Sequence, residues 1–183
     1  MKHLVIGGVR SGKSDFAEKM LAQSLLTTNQ QNAFYIATSL AIGEETKSRI
    51  VRHQLNRDSK LVTCELDYQQ QTLNHFLDNH DAPGQFILIE CLSTWVGWYL
   101  SQEKPLKQCI IEYEQVKNQF IHRLSNVQAT VIIVTGEVGC GLIGESKLMR
   151  VYADKLGELN QAVANQADKV TVVTAGIAQQ IKG

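Results

Sequence analysis

Apolar residues fall along the chain in short runs separated by longer stretches of helical spacing. His3 to Ile6 reads as a strand, Gly7 to Ser14 as a glycine-rich turn, and a helix follows to about Leu26. Ala33 to Thr38 predicts a second strand, and the polar segment Gly43 to Arg57 has helical composition. Leu61 to Glu65 is a short strand, followed by a helix near Gln69 to Leu77 and a turn at Pro83-Gly84. Phe86 to Glu90 is apolar until its closing acid. Leu106 to Leu124 reads as helix and Thr130 to Thr135 as strand. Ser146 to Gln166 is a long helix, with Leu148, Val151, Tyr152, Leu156, Leu159 and Val163 at helical spacing. Val170 to Thr174 is the last long strand, and Gly176 turns the chain into a short apolar piece, Ile177 to Ile181. Apolar strands alternating with helices predict an α/β fold, a mostly parallel sheet with helices on both faces. Ligands of such sheets gather at the carboxyl ends of the strands.

Composition narrows the class. The 183 residues suit one domain spanning 1–183 and are enough to bury a core without staples. Lys and Arg number 18 and so do Asp and Glu, so the net charge is zero. That balance argues against nucleic acid or an anionic membrane as the main partner. No apolar run approaches the roughly 20 residues of a membrane span. The opening Met1 to Ile6 is too short for a signal-peptide core, so the expected location is cytoplasmic. Cys64, Cys91, Cys109 and Cys140 fit neither a zinc nor a disulfide framework and are expected as reduced core or near-core thiols. His3, His75, His80 and His122 are expected to be structural.

The sharpest chemical signal is Gly7-Gly8-Val9-Arg10-Ser11-Gly12-Lys13-Ser14, which matches the phosphate-loop pattern G-x-x-x-x-G-K-[ST] between a strand and a helix. Glycines let consecutive N–H groups curl around phosphate oxygens, and the helix beginning near Lys13 adds its positive end. Lys13 would reach the β- and γ-phosphates, and Ser14 would ligate Mg²⁺. Arg10 is either a further cation for a polyphosphate or a solvated loop arginine. Glu90 closes a buried strand, as a Walker-B acid holding Mg²⁺ directly or through water does, or else it marks the strand's exposed end. In the Gly43–Arg57 segment, Arg49, His53 and Arg57 would share one helical stripe. A positive field keeps the imidazole neutral and nucleophilic, and the same arginines would neutralise charge at an attacked phosphorus. The spacing alone is equally that of a solvated basic helix face with one histidine.

These pieces, taken with Tyr35-Ile36-Ala37-Thr38-Ser39, Thr63-Cys64-Glu65, Ile89-Glu90-Cys91-Leu92-Ser93-Thr94-Trp95, Gly136-Glu137-Val138-Gly139-Cys140-Gly141-Leu142-Ile143 and Asp154-Lys155-Leu156-Gly157-Glu158-Leu159-Asn160-Gln161, run nearly end to end. The chain resembles the bifunctional adenosylcobinamide kinase/adenosylcobinamide-phosphate guanylyltransferases of cobalamin biosynthesis. The resemblance implies a P-loop, RecA-like fold and a homotrimer. It implies phosphorylation of the aminopropanol hydroxyl of adenosylcobinamide, then transfer of GMP from GTP through a covalent histidine, here His53. It implies GTP, and for the kinase step GTP or ATP, with Mg²⁺ at Ser14 and Glu90. The nucleotide-binding set it implies is the loop Gly7 to Ser14 with Thr38, Ser39, Leu40, Arg49, Gln54, Arg57, Glu65 and Glu90, with Lys13 catalytic beside His53 and Glu65 accepting from the guanine edge. The chain departs from the family's usual residues at Gly136, at Ile143-Gly144-Glu145 and at Ala153, in the region expected to bind the corrinoid or form one wall of the site.

Three other readings fit fewer residues. A P-loop kinase for another small metabolite would use Lys13 and Glu90 with His53 structural. A GTP-binding switch needs a base-reading N-K-x-D, whereas Thr130 to Thr135 leads into Gly136-Glu137. A trimeric scaffold of degenerate activity would not need Lys13, Ser14, Glu90 and His53 together.

Overall fold

The computed structural model describes residues 1–28, 30, 33–39, 61–141 and 144–183. Among the described residues seven strands, β1 (Lys2–Gly7), β2 (Ala33–Ala37), β3 (Leu61–Glu65), β4 (Phe86–Glu90), β5 (Thr130–Gly136), β6 (Lys169–Thr174) and β7 (Ile177–Lys182), join in one sheet. Their order is β3-β2-β4-β5-β1-β6-β7. Every pairing is parallel except β6 with β7. Among the described residues the helices are α1 (Lys13–Thr28), α2 (Leu73–His80), α3 (Leu92–Leu100), α4 (Leu106–Asn126) and α5 (Lys147–Gln166). The expected α/β architecture, with helices on both faces, is the one observed.

Successive strand residues point to opposite faces, so each central strand feeds two cores. One face carries Val5, Tyr35, Leu88, Ile132 and Val134 against Ala17, Leu21 and Leu25 of α1. The other carries Leu4, Ile36, Ile87, Ile89, Val131 and Ile133 against Leu73, Trp95, Tyr113, Phe120, Leu156 and Leu159, supplied by α2 to α5. Burial on both faces explains why Phe86 to Ile89 of β4 and Val131 to Val134 of β5 are continuously apolar. The edge strands differ: β3 is half-exposed and β7 is exposed along its length. The expected short apolar piece Ile177 to Ile181 is therefore an antiparallel edge strand.

Two expectations are corrected, and one helix is unanticipated. Helix α2 begins at Leu73 and not near Gln69, because Asp67 Oδ1 accepts from the amides of Gln69, Gln70 and Gln71 at 2.9, 2.9 and 2.7 Å and holds them in a loop. Thr72 then caps the helix by accepting from His75 N. Helix α3 had no expectation at all. Its sequence Leu-Ser-Thr-Trp-Val-Gly-Trp-Tyr-Leu is nine residues long and apolar on most sides, so no stripe separates it from a buried strand. Cys109 is buried and Cys64 and Cys91 are half-buried, but Cys140 is exposed, in a turn that Glu137 folds outward by accepting from the Gly139 and Cys140 amides. The segment Gly43 to Arg57 lies outside the described residues.

His3 joins β1 to β6, its Nε2 lying 2.8 Å from Thr171 Oγ1. Burial, and secondarily the Lys169 charge, hold its imidazole below the ordinary 6.5. Above that pH neither state takes a proton there, and below it the unfolded chain binds the proton first. The contribution of His3 to stability is therefore complete above pH 6.5 and is lost as pH falls through the depressed folded value. Urea unfolding at pH 7.5 and 5.5 should show a smaller acid loss in His3→Gln than in the wild type.

Candidate active site

The phosphate loop lies where β1 ends at Gly7 and α1 begins at Lys13. Arg10 and Gly12 both adopt left-handed backbone, with φ 56° and 88°, and these two reversals curl the loop. Ser11 N donates to Gly8 O, and Phe16 N to Gly12 O, which starts the helix. Lys13 Nζ folds back to donate to Gly8 O at 3.1 Å, placing its charge at the loop's mouth.

The loop's glycines have distinct reasons. A methyl group on Gly7 would collide with the Val173 carbonyl oxygen of β6 and lie 2.5 Å from Ser11 Oγ. One on Gly12 would meet Gly176 Cα at 3.3 Å, on a backbone that disfavours side chains. Gly8 faces open space. Packing dictates the first and last glycines of the motif, and only the middle one is left to serve a ligand's approach.

The strand register brings acids to the same end. Ala37 of β2 pairs with Glu65 of β3 on one side and Glu90 of β4 on the other. The two acids' backbones are thus about 10 Å apart, two strand spacings. Glu90 is half-buried, Glu65 exposed. Ser14 Oγ donates to Glu90 Oε1 at 2.5 Å, joining the first turn of α1 to the end of β4 across the sheet. One carboxylate and one hydroxyl beside a phosphate loop form a hard oxygen donor set, and Mg²⁺ takes such a pair together with phosphate oxygens. The residues present therefore fit that ion.

Thr38 is buried, and its hydroxyl is used internally. It donates to Cys91 O at 2.7 Å and lies 2.5 Å from Thr94 Oγ1, while its amide donates to Glu90 O. Its side chain ties the end of β2 to the start of α3, and the half-buried Ser39 comes next in the chain. Tyr68, itself at φ 62°, donates its hydroxyl to Thr38 O and stacks on Trp98 with ring centroids 4.1 Å apart. Tyr152 of α5 donates to Ser93 O at 3.1 Å. Burial pushes the Tyr152 phenol up to about 12 and the Tyr68 phenol higher still, so both remain donors at neutral pH. Sequence reading missed Tyr68, Ser93, Thr94 and Tyr152. The run Ser93-Thr94-Trp95 after the acid was the available signal, but nothing in it shows which hydroxyls turn inward.

The structure thus brings the loop, Glu90, Glu65, Thr38 and Ser39 to one end of the sheet. Leu40, Arg49, His53, Gln54 and Arg57 lie outside the described residues. The glycine geometry has a direct test. Gly7→Ala should lose nucleotide binding and several degrees of Tm, whereas Gly8→Ala should keep the wild-type Tm; calorimetric melts and fluorescent-nucleotide titration of the two variants check this.

The chain is similar to known proteins along its length. The family described as cobinamide kinase / cobinamide phosphate guanyltransferase matches residues 3–181. The chain is 31% identical over 183 residues to the bifunctional adenosylcobalamin biosynthesis protein CobP of Pseudomonas aeruginosa, covering all of this chain and 98% of the relative. It is 34% identical over 190 residues to CobU of Escherichia coli, and 33% identical to CobU of Salmonella typhimurium, each over the full length of both chains. A KaiC-like protein from Pyrococcus horikoshii shares the fold, with a TM-score of 0.50 at 11% identity, over 93% of this chain and 69% of that one. The sheet and loop are those of a RecA-like P-loop protein, and by sequence over its whole length the chain belongs to the cobinamide kinase / cobinamide phosphate guanyltransferase family.

Proposed function

We propose that this chain is a bifunctional enzyme that phosphorylates adenosylcobinamide and then transfers GMP from GTP onto that phosphate, releasing pyrophosphate and giving adenosylcobinamide-GDP. The observation that carries the reading is the contact of Ser14 with Glu90 at the mouth of a phosphate loop, within a chain that matches the family end to end. The loop N–H groups and Lys13 bind the polyphosphate, with Arg10 beside them. Mg²⁺, held by Ser14 and Glu90, supplies charge neutralisation at the phosphate oxygens.

In the kinase half, the substrate hydroxyl oxygen bonds to the γ-phosphorus and gives up its proton to solvent, the bond to the β-phosphate oxygen breaks, and a nucleoside diphosphate leaves. Lys13 and the loop amides hold the γ-phosphoryl oxygens through the charge build-up, and positioning supplies most of the rate. In the guanylyl half, an imidazole nitrogen of His53 bonds to the α-phosphorus and pyrophosphate leaves. A phosphate oxygen of the corrinoid then displaces His53, which departs with its electron pair. Arg49 and Arg57 steady the α-phosphate, Gln54, Thr38, Ser39 and Leu40 complete the nucleotide pocket, and Glu65 accepts from the two N–H donors of guanine. The His53 roles rest on the resemblance of the Arg49–His53 segment. On the same ground we propose one nucleotide-binding domain acting as a cytoplasmic homotrimer. No described helix is long and apolar enough to cross a membrane.

The test uses purified protein, Mg²⁺ and GTP labelled at the α-phosphate, without corrinoid. Label should remain on the protein through denaturing alkali and leave in acid, as a phosphoramidate does. His53→Ala should lose all label while binding GTP to within a few-fold of the wild type, and Lys13→Ala should lose both reactions. Unlabelled wild-type protein that still binds GTP would return the reading to a P-loop kinase of another small metabolite.

A further inference from the structure

The β6–β7 hairpin lies at the sheet's ligand-binding end, and the proposed chemistry leaves it unused. Thr174 pairs with Ile177, so the turn has two residues, Ala175 and Gly176, both left-handed at φ 52° and 79°. That is the primed turn a twisted hairpin requires, although alanine adopts it only at a cost. The tip does not stand free in solvent. Gly176 N donates to Ser11 O at 2.8 Å, and Gly12 lies against Gly176 Cα. The hairpin thus abuts the phosphate loop on the side away from Glu90, since β4 lies two strands from β1 in one direction and β6 and β7 lie next to it in the other.

This arrangement gives the loop a direction. Ser14 and Glu90 mark where the terminal phosphates and their metal belong. A nucleotide with its γ-phosphate there must run its remaining phosphates along the loop toward the other side, and its nucleoside emerges over the hairpin tip. The two turns that meet there each carry an exposed aliphatic side chain, Val9 of the loop at 86% and Ile177, next to the tip, at 74%. The tip sequence from Thr174 to Gln180 carries no charged side chain. An aliphatic, uncharged surface packs against the face of a base and has nothing to discriminate adenine from guanine.

We propose that Ile177, with Val9, seats the purine of the nucleoside triphosphate that donates the phosphoryl group. Glu65, the proposed guanine acceptor of the guanylyl donor, is on β3 at the opposite edge of the seven-stranded sheet, about 29 Å from β7 at six strand spacings. One nucleotide cannot reach both edges. The two donors therefore occupy the same loop in opposite senses, the phosphoryl donor with its base over the hairpin and the guanylyl donor with its base toward β3. The opposed orientations rest on the two-reaction reading above, whereas the seat itself rests only on the loop binding a triphosphate.

The experiment compares β,γ-imido-ATP with inorganic tripolyphosphate, each with Mg²⁺, by isothermal titration calorimetry on wild type, Ile177→Asn and Ile181→Asn. Ile181 lies about 13 Å further along β7, at the register shift near its end, and is likewise exposed at 61%. Ile177→Asn should weaken the nucleotide about tenfold and leave tripolyphosphate within twofold, and Ile181→Asn should change neither. Unchanged nucleotide affinity in Ile177→Asn overturns the seat. Equal loss of both ligands overturns it as well, because the tip would then only brace the loop, and so does equal behaviour of the two variants, which would make β7 an assembly surface. Wild-type protein that binds the nucleotide no more tightly than tripolyphosphate also overturns it. A wild type that passes the binding test but phosphorylates no adenosylcobinamide sinks the functional reading and leaves the seat standing.

Discussion

The phosphate loop is braced from outside. Its amides can point at a ligand only if the turn between β1 and α1 keeps its shape, and that shape depends on how closely β6 and the hairpin approach. Val173 O occupies the space a side chain on Gly7 would need, and Gly176 does the same for Gly12. The Gly176–Ser11 hydrogen bond closes the contact. A protein interior packs as densely as a crystal, so such backbone contacts leave the loop little freedom to relax. Preorganised donors of this kind stabilise developing charge without first having to reorient.

The same economy holds on the other side of the loop. Glu90 ends a buried strand, and the bonds made around the start of α3 set its direction. Thr38 bonds to both the Glu90 and Cys91 backbones, Tyr68 holds Thr38, and Tyr152 holds Ser93. Asn160 of α5 bonds to Thr135 and to Gly136 O, which fixes the end of β5 between β4 and β1. These are buried polar groups, each costly if left unpaired, and together they give the strand ends one arrangement. The carboxylate that meets Ser14 is thus positioned by residues from β2, the β3–α2 loop and two helices, none of which bears a reactive group.

Much of this was legible in the chain. The central strands were readable because double-sided burial makes them continuously apolar, as in Phe86 to Ile89, and because glycine and acid mark their ends. The loop was readable because each of its residue types has a mechanical reason. The unreadable parts lie where side-chain direction decides. Leu92 to Leu100 hides a helix because a wholly buried helix has no stripe. The apolar piece Ile177 to Ile181 gives no sign of its exposure, because an isoleucine in an exposed edge strand is spelled the same as one in the middle of a sheet. The resemblance implies Thr38 as a nucleotide contact, and nothing in the chain shows that its hydroxyl also bonds among the strand ends and places its neighbours.

The distribution of charge explains how one loop can serve two chemistries. The chain is neutral overall, yet the loop gathers Lys13, Arg10 and the positive end of α1 at a single point, and the acids Glu90 and Glu65 lie in register to one side of it. A polyphosphate is held at the centre whichever way its nucleoside lies, because the cations there respond to charge and not to direction. Direction is decided at the two flanks. Toward β3 an acid can accept from a base's N–H edge, which favours guanine. Toward β7 the hairpin tip is aliphatic and uncharged, and on the proposal above it takes a purine by its face. In that scheme a single cationic loop between one polar and one apolar flank would separate the choice of nucleotide from the binding of phosphate, and the phosphorus that each orientation presents would decide which reaction occurs.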